Sequence, residues 1–129
     1  MAKFFAKLKK GFSIAEVVIA IAVISIISVG AVTTITLSIK NQRKNLTYQD
    51  VSFTCNSVID CFRYNSDNLS STLSTIYDAS NVSVDENNSN IISINRNTYT
   101  LKILVNGNTL TLSAVDKNNK ELYKVSYAK

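Results

Sequence analysis

The chain has no histidine, no proline and no tryptophan, and only three glycines and two cysteines in 129 residues. Without histidine it lacks both the usual general base at neutral pH and the commonest transition-metal ligand. Without a glycine-rich phosphate loop or a Cys-x-x-Cys pair, it carries neither a nucleotide-binding nor a redox motif. No nucleophile stands beside a base, so the reading is a protein that is not an enzyme and needs no cofactor or metal. The missing proline means that no helix here is broken by a ring. Cys55 and Cys61 could bridge in an oxidising compartment. If their region is helical, six residues put the side chains about 120° apart, beyond a disulfide's reach. Two free thiols are therefore expected, with Cys55 as a small core hydrophobe.

Charge is missing too, over residues 17–39. At about 1.5 Å per helical residue these roughly 23 positions span about 34 Å, enough to cross a hydrocarbon core about 30 Å thick. One carboxylate, Glu16, stands at the entrance of this stretch. An ionisable group placed in such a segment costs about 2.5–3.5 kcal/mol on insertion scales, so it is read as functional by default and needs a partner. The helix macrodipole would favour a carboxylate in the first turn by only a fraction of that cost.

Ahead of Glu16 run four leader lysines, Lys3, Lys7, Lys9 and Lys10, and then Gly11-Phe12-Ser13-Ile14-Ala15-Glu16. A basic leader, glycine, phenylalanine, a small hydroxyl residue, a glutamate and an aliphatic run resemble the prepilin signature of the type IV pilin and pseudopilin family. The resemblance implies a prepilin peptidase as partner, a cut between Gly11 and Phe12, and N-methylation of Phe12. It also implies that Glu16 pairs with the N-terminal ammonium of Phe12 during filament assembly. Physics agrees, since opposite charges brought together in a low dielectric relieve each other's desolvation. The competing reading is a secreted or membrane-anchored binding domain behind an ordinary signal sequence, with Val29-Gly30-Ala31 as the small-residue cleavage site. Against it, a glutamate has no use between the charged and apolar regions of a signal peptide, and the uncharged run continues past Ala31 to Ile39.

The formal charge of +5 points to an anionic partner until the leader is set aside, which leaves ten basic against nine acidic side chains. The leader lysines instead favour an N-in, C-out single-pass topology. The Ile-Ala-Glu-Val-Val-Ile-Ala-Ile-Ala stretch after Ser13 leans toward minor rather than major subunits, and partners would be the membrane and other pilin or pseudopilin subunits.

Beyond the membrane-length segment, Tyr48, Val51, Cys55, Val58, Ile59 and Phe62 recur at the offsets of one helical face. This predicts one helix of about 50 residues, amphipathic in its second half. Many type IV pilins have a proline partway along the membrane half, and its absence here leaves Gly30, Ser25, Ser28, Thr33, Thr34 and Thr36 as the soft points. Close packing of small residues is the other reading of Gly30.

After Tyr64 the composition turns to Ser, Asn, Asp and Thr, and residues 65–71 read as a helix exit and loop. Strands are expected at residues 91–94, 99–105 and 122–127, with Asn106-Gly107 as a hairpin turn and a second turn at 116–120. A two-residue turn at Asn106-Gly107 pairs Ile103 with Leu110, Leu101 with Leu112 and Tyr99 with Ala114. The expected fold class is α+β, with the long N-terminal helix packed on a small antiparallel sheet of three or four strands. The divisions are residues 1–11 (leader), 12–39 (membrane and assembly half), 40–64 (amphipathic half) and 65–129 (β-rich head).

Asp85 to Asn90 and Asp116 to Glu121 offer oxygens for calcium, but the first lacks the turn glycine of an EF-hand loop, and plain surface turns are preferred. Lys117, Lys120, Lys124 and Lys129 could meet DNA phosphates, yet Asp116 and Glu121 interrupt them, so a solvated face is preferred over nucleic acid.

Overall fold

A computed structural model describes Gly11 and residues 13–129. The rest of the leader and Phe12 lie outside the described residues. The element order is α1 (Ile14–Tyr64), α2 (Leu69–Tyr77), β1 (Val82–Val84), β2 (Ile91–Asn95), β3 (Tyr99–Asn106), β4 (Thr109–Asp116) and β5 (Glu121–Ala128). The strands form one antiparallel meander in sequence order. The fold is α+β in a pilin-like arrangement, a long N-terminal helix followed by a small sheet. The chain divides into two units, one ending at Gln42 and the other running from Arg43 to Lys129.

In the first unit every described side chain of α1 is exposed. The helix is long and apolar enough to cross a membrane. Most of its hydroxyls bond within the helix: Ser25 and Ser28 donate to the carbonyls of Ile21 and Ile24, and Thr36 donates to Val32. Thr33 and Thr34 both donate to the Gly30 carbonyl, at 2.8 and 2.9 Å. Back-bonding of this kind lets polar side chains enter hydrocarbon, and it also weakens the helix ladder at the accepting carbonyl. Gly30 thus combines the least helix-favouring residue of the span with a doubly loaded carbonyl, while the α-helix continues through it.

In the second unit α1 buries Val51, Thr54, Cys55, Val58 and Phe62. These join one face of the sheet, made of Ile92, Ile94, Tyr99, Leu101, Ile103, Leu110, Leu112 and Ala114, with Leu69 and Leu73 of α2 completing the core. Each such aliphatic or aromatic side chain contributes about 1.5–3 kcal/mol when fully buried. Ile59 is half-buried against this core, and Tyr48, predicted on the same stripe, stays 38% exposed and outside the buried set.

Among the described residues Thr54 is the one buried polar side chain, and its bonding settles its cost. Its hydroxyl donates to the Asp50 carbonyl at 2.9 Å, so the Tyr99 hydroxyl, 2.8 Å away, donates to Thr54. Burial pushes the Tyr99 phenol up to about 12. Phe62 meets Tyr127 edge-on at 6.5 Å, and Arg63 lies 5.5 Å over the same ring, tying β5 to the helix.

Three expectations change. The β3–β4 register is Ile103 with Leu112, Leu101 with Ala114, Val105 with Leu110 and Tyr99 with Asp116, displaced by two from the predicted pairing. Asn106 pairs with Thr109, so Gly107 and Asn108 form the turn, and only Gly107, at φ 58°, has a positive φ there. Glycine at the first central position with a single positive φ is the type II′ pattern; the predicted turn would have forced Asn106 to positive φ as well. A displacement of two keeps each side chain on its face, which is why the buried set survives. Second, residues 65–71 are not wholly loop: α2 begins at Leu69, its apolar Leu69, Leu73 and Tyr77 spaced by one helical turn. Third, β1 adds a fifth strand, three residues long, paired with β2.

Candidate processing and assembly site

Gly11, the residue predicted to precede the cut, needs no glycine for the fold's sake. A Cβ built there meets nothing within 4 Å, and its φ lies outside the left-handed region. Among the described residues nothing calls for glycine at this position. Phe12, the predicted methylation site, is outside the described residues.

Ser13 and Glu16 are brought together by the start of α1. The Ser13 amide donates to Glu16 Oε2 at 2.9 Å, and the Glu16 amide donates to Ser13 Oγ at 3.4 Å. This reciprocal pair is a capping box, with serine as N-cap and glutamate three residues in. Ser-x-x-Glu ahead of an apolar run is its sequence signature, and the reading that treated Glu16 only as a charge passed over it. Magnitudes decide what the box can do. A cap of this kind contributes about 0.5–2 kcal/mol, and the roughly 2.5–3.5 kcal/mol for a charge at the centre of a spanning helix is an upper bound for a carboxylate in the first turn. The box sets the helix start and aims the carboxylate. The next cationic side chain along α1 is Lys40, about 36 Å further at 1.5 Å per residue.

A second feature of α1 was missed by sequence reasoning. Leu46, Phe53 and Tyr64 are 64%, 77% and 84% exposed. At about 100° per residue they fall within roughly 20° of one line, opposite the buried Val51, Cys55, Val58 and Phe62. The spacings of 7 and 11 were the available signal, masked by the stronger buried stripe.

The other singled-out residues sit apart from this site. Cys55 and Cys61 are free thiols. Burial raises Cys55 to about 11, and burial with the neighbouring Asp60 raises Cys61, so neither is an activated thiolate at neutral pH. In the acidic turns the carboxylates and amides serve the backbone: Asp85 accepts from the Asn87 amide, Asn88 from the Asn90 amide, and Asp116 from Asn118 and Lys120. On β5, Lys124 pairs in register with Ser113, whose hydroxyl donates to Glu121, so acid and base alternate at that edge.

The fold and site together define an α+β protein headed by a capped, membrane-length helix. Residues 6–32 match the family model described as the prokaryotic N-terminal methylation motif. The chain therefore carries the type IV pilin and pseudopilin leader motif, spanning Gly11, Phe12, Ser13 and Glu16 and running past Ala31 into the apolar helix. No curated protein and no solved structure matches the chain.

Proposed function

We propose that this protein is a structural subunit of a type IV pilus or pseudopilus, stored in the membrane and polymerised through α1 after a prepilin peptidase removes the leader. The methylation-motif match over residues 6–32 carries the reading. In this account the peptidase cuts the Gly11–Phe12 bond and the new amine of Phe12 is methylated. The leader lysines hold the N-terminus on the cytoplasmic side, and the β-rich head lies on the other. Once the leader is gone, the Phe12 ammonium is the one cationic group that the sequence offers ahead of Lys40. Pairing it with Glu16 lowers the cost of burying each, so a register in which they meet is favoured over neighbouring registers. The exposed Leu46, Phe53 and Tyr64 line extends the surface of α1 available to other pilin or pseudopilin subunits.

Glu16→Gln tests the assembly step, because it keeps size and hydrogen bonding while removing the charge. An ammonium left unpaired in a dry environment costs about 3–5 kcal/mol. Cleavage and membrane insertion are expected to persist, while the ratio of filament-borne to membrane-borne subunit falls at least about tenfold. An unchanged ratio in sheared filaments would reject the pairing.

A further inference from the structure

A cleft of about 440 Å³ opens in the second unit between residues 46–50 of α1, Asn81 and the β2–β3 turn. Its volume is within the roughly 300–1,000 Å³ range of small-ligand sites. Its charges cancel: Arg96 Nη2 donates to Asp50 Oδ1 at 3.1 Å, and the guanidinium lies 5.7 Å over the Tyr77 ring. An anion entering here would meet the Asp50 carboxylate beside the only arginine of the lining, so phosphate is a poor fit. An apolar ligand is a poor fit too, since Leu46 is the single aliphatic lining residue.

What the cleft does offer is neutral hydrogen-bonding capacity. Asn81 Nδ2 donates to the Tyr77 carbonyl and Asn95 Oδ1 accepts from Thr100, which fixes both amides. Asn81 Oδ1, Asn95 Nδ2, both amide atoms of Asn97 and the Thr98 hydroxyl, all on solvent-exposed residues, have no protein partner among the described residues. A sugar hydroxyl both donates and accepts, so adjacent hydroxyls match a rim of amide oxygens, amide nitrogens and a hydroxyl. Leu46, mostly exposed, supplies one apolar surface for the C–H face of a ring. From this balance of charge and hydrogen bonding, we propose that the cleft binds a neutral saccharide.

The test uses the full chain in micelles of a detergent without a sugar headgroup. The side-chain amide resonances of Asn81, Asn95 and Asn97 are followed while N,N′-diacetylchitobiose, maltose or inorganic phosphate is added. Saturable shifts with at least one disaccharide and none with phosphate are expected. Asn97→Ala should weaken that binding about tenfold while the remaining spectrum keeps its dispersion. Absence of a saturable shift with both disaccharides overturns the proposal. So does a shift driven by phosphate, or unchanged affinity in Asn97→Ala.

Discussion

The two halves of α1 share one backbone and differ in what covers their apolar side chains. Up to Gln42 none is buried by the chain itself, whereas from Arg43 a stripe from Val51 to Phe62 is sealed against the sheet. Hydrophobicity therefore does not have one meaning along this helix. In the second half it is an instruction for folding, read by Tyr99, Leu101, Ile103 and their neighbours. In the first half no described part of the chain covers it, and on the proposed function it is left for a bilayer or the helices of other subunits. The polar residues differ as well: Thr54 donates within its own turn and also accepts from Tyr99, 45 residues away, whereas the bonds of Ser25, Ser28, Thr33, Thr34 and Thr36 all lie within a turn.

That contrast can be broken by substitutions of one kind in both halves. Val58 is fully buried, and Val58→Asp places an unpaired carboxylate in the core at a cost of about 3–5 kcal/mol. The second unit should unfold in detergent solution, seen as collapse of amide dispersion, while the same change at the exposed Val32 should leave that dispersion intact. A melting curve for Val58→Asp that overlays the parent would put the stripe outside the core.

Glycine replacement gives a smaller effect of opposite sign in the two units. Gly107 has φ 58°, so Gly107→Val strains the turn although a Cβ would meet nothing within 4 Å. A left-handed β-branched residue costs about 1–3 kcal/mol, and melting should shift downward accordingly. Gly30 lies in regular helix with open space around it, so Gly30→Ala should gain about 1 kcal/mol of helix stability. Slower amide exchange at residues 28–36 would register the gain. Unchanged exchange would mean that the doubly loaded carbonyl, rather than the glycine, sets the local softness.

Alkaline pH separates the units more gently. Cys55 rises from 9.0 to about 11 and Tyr99 from 10.0 to about 12, both chiefly through burial. Each raised value contributes stability that is complete below the unfolded pKa and disappears as pH climbs through the folded one, because the unfolded chain then holds fewer protons. The second unit should lose stability progressively between pH 9 and 12, and Cys55→Ala should remove the earlier part of that loss. A melting temperature flat across this window would contradict the burial of both groups.

Much of this was legible in the sequence because the signals were periodic. The amphipathic stripe from Val51 to Phe62, the alternation along β3 and β4 and the turn at Asp116 are long or redundant enough to survive local ambiguity. The hairpin register was misread because Asn-Gly was placed at the centre of the turn, when the glycine alone supplied the positive φ. Helix α2 hid behind serines and threonines, and three-residue β1 exists only by pairing with β2, a contact that no local pattern encodes. At the N-terminus the charge of Glu16 was visible, but its bond to the Ser13 amide required reading the same residue as a cap.

The central claim is that the exposed half of α1 remains on the working protein because the chain is cut ahead of it. An intact mass of the protein recovered from membranes of its native host tests this directly. The account predicts the chain from Phe12 to Lys129 carrying one added methyl group. A product beginning near Val32, an uncut chain, or an unmethylated Phe12 terminus would contradict it.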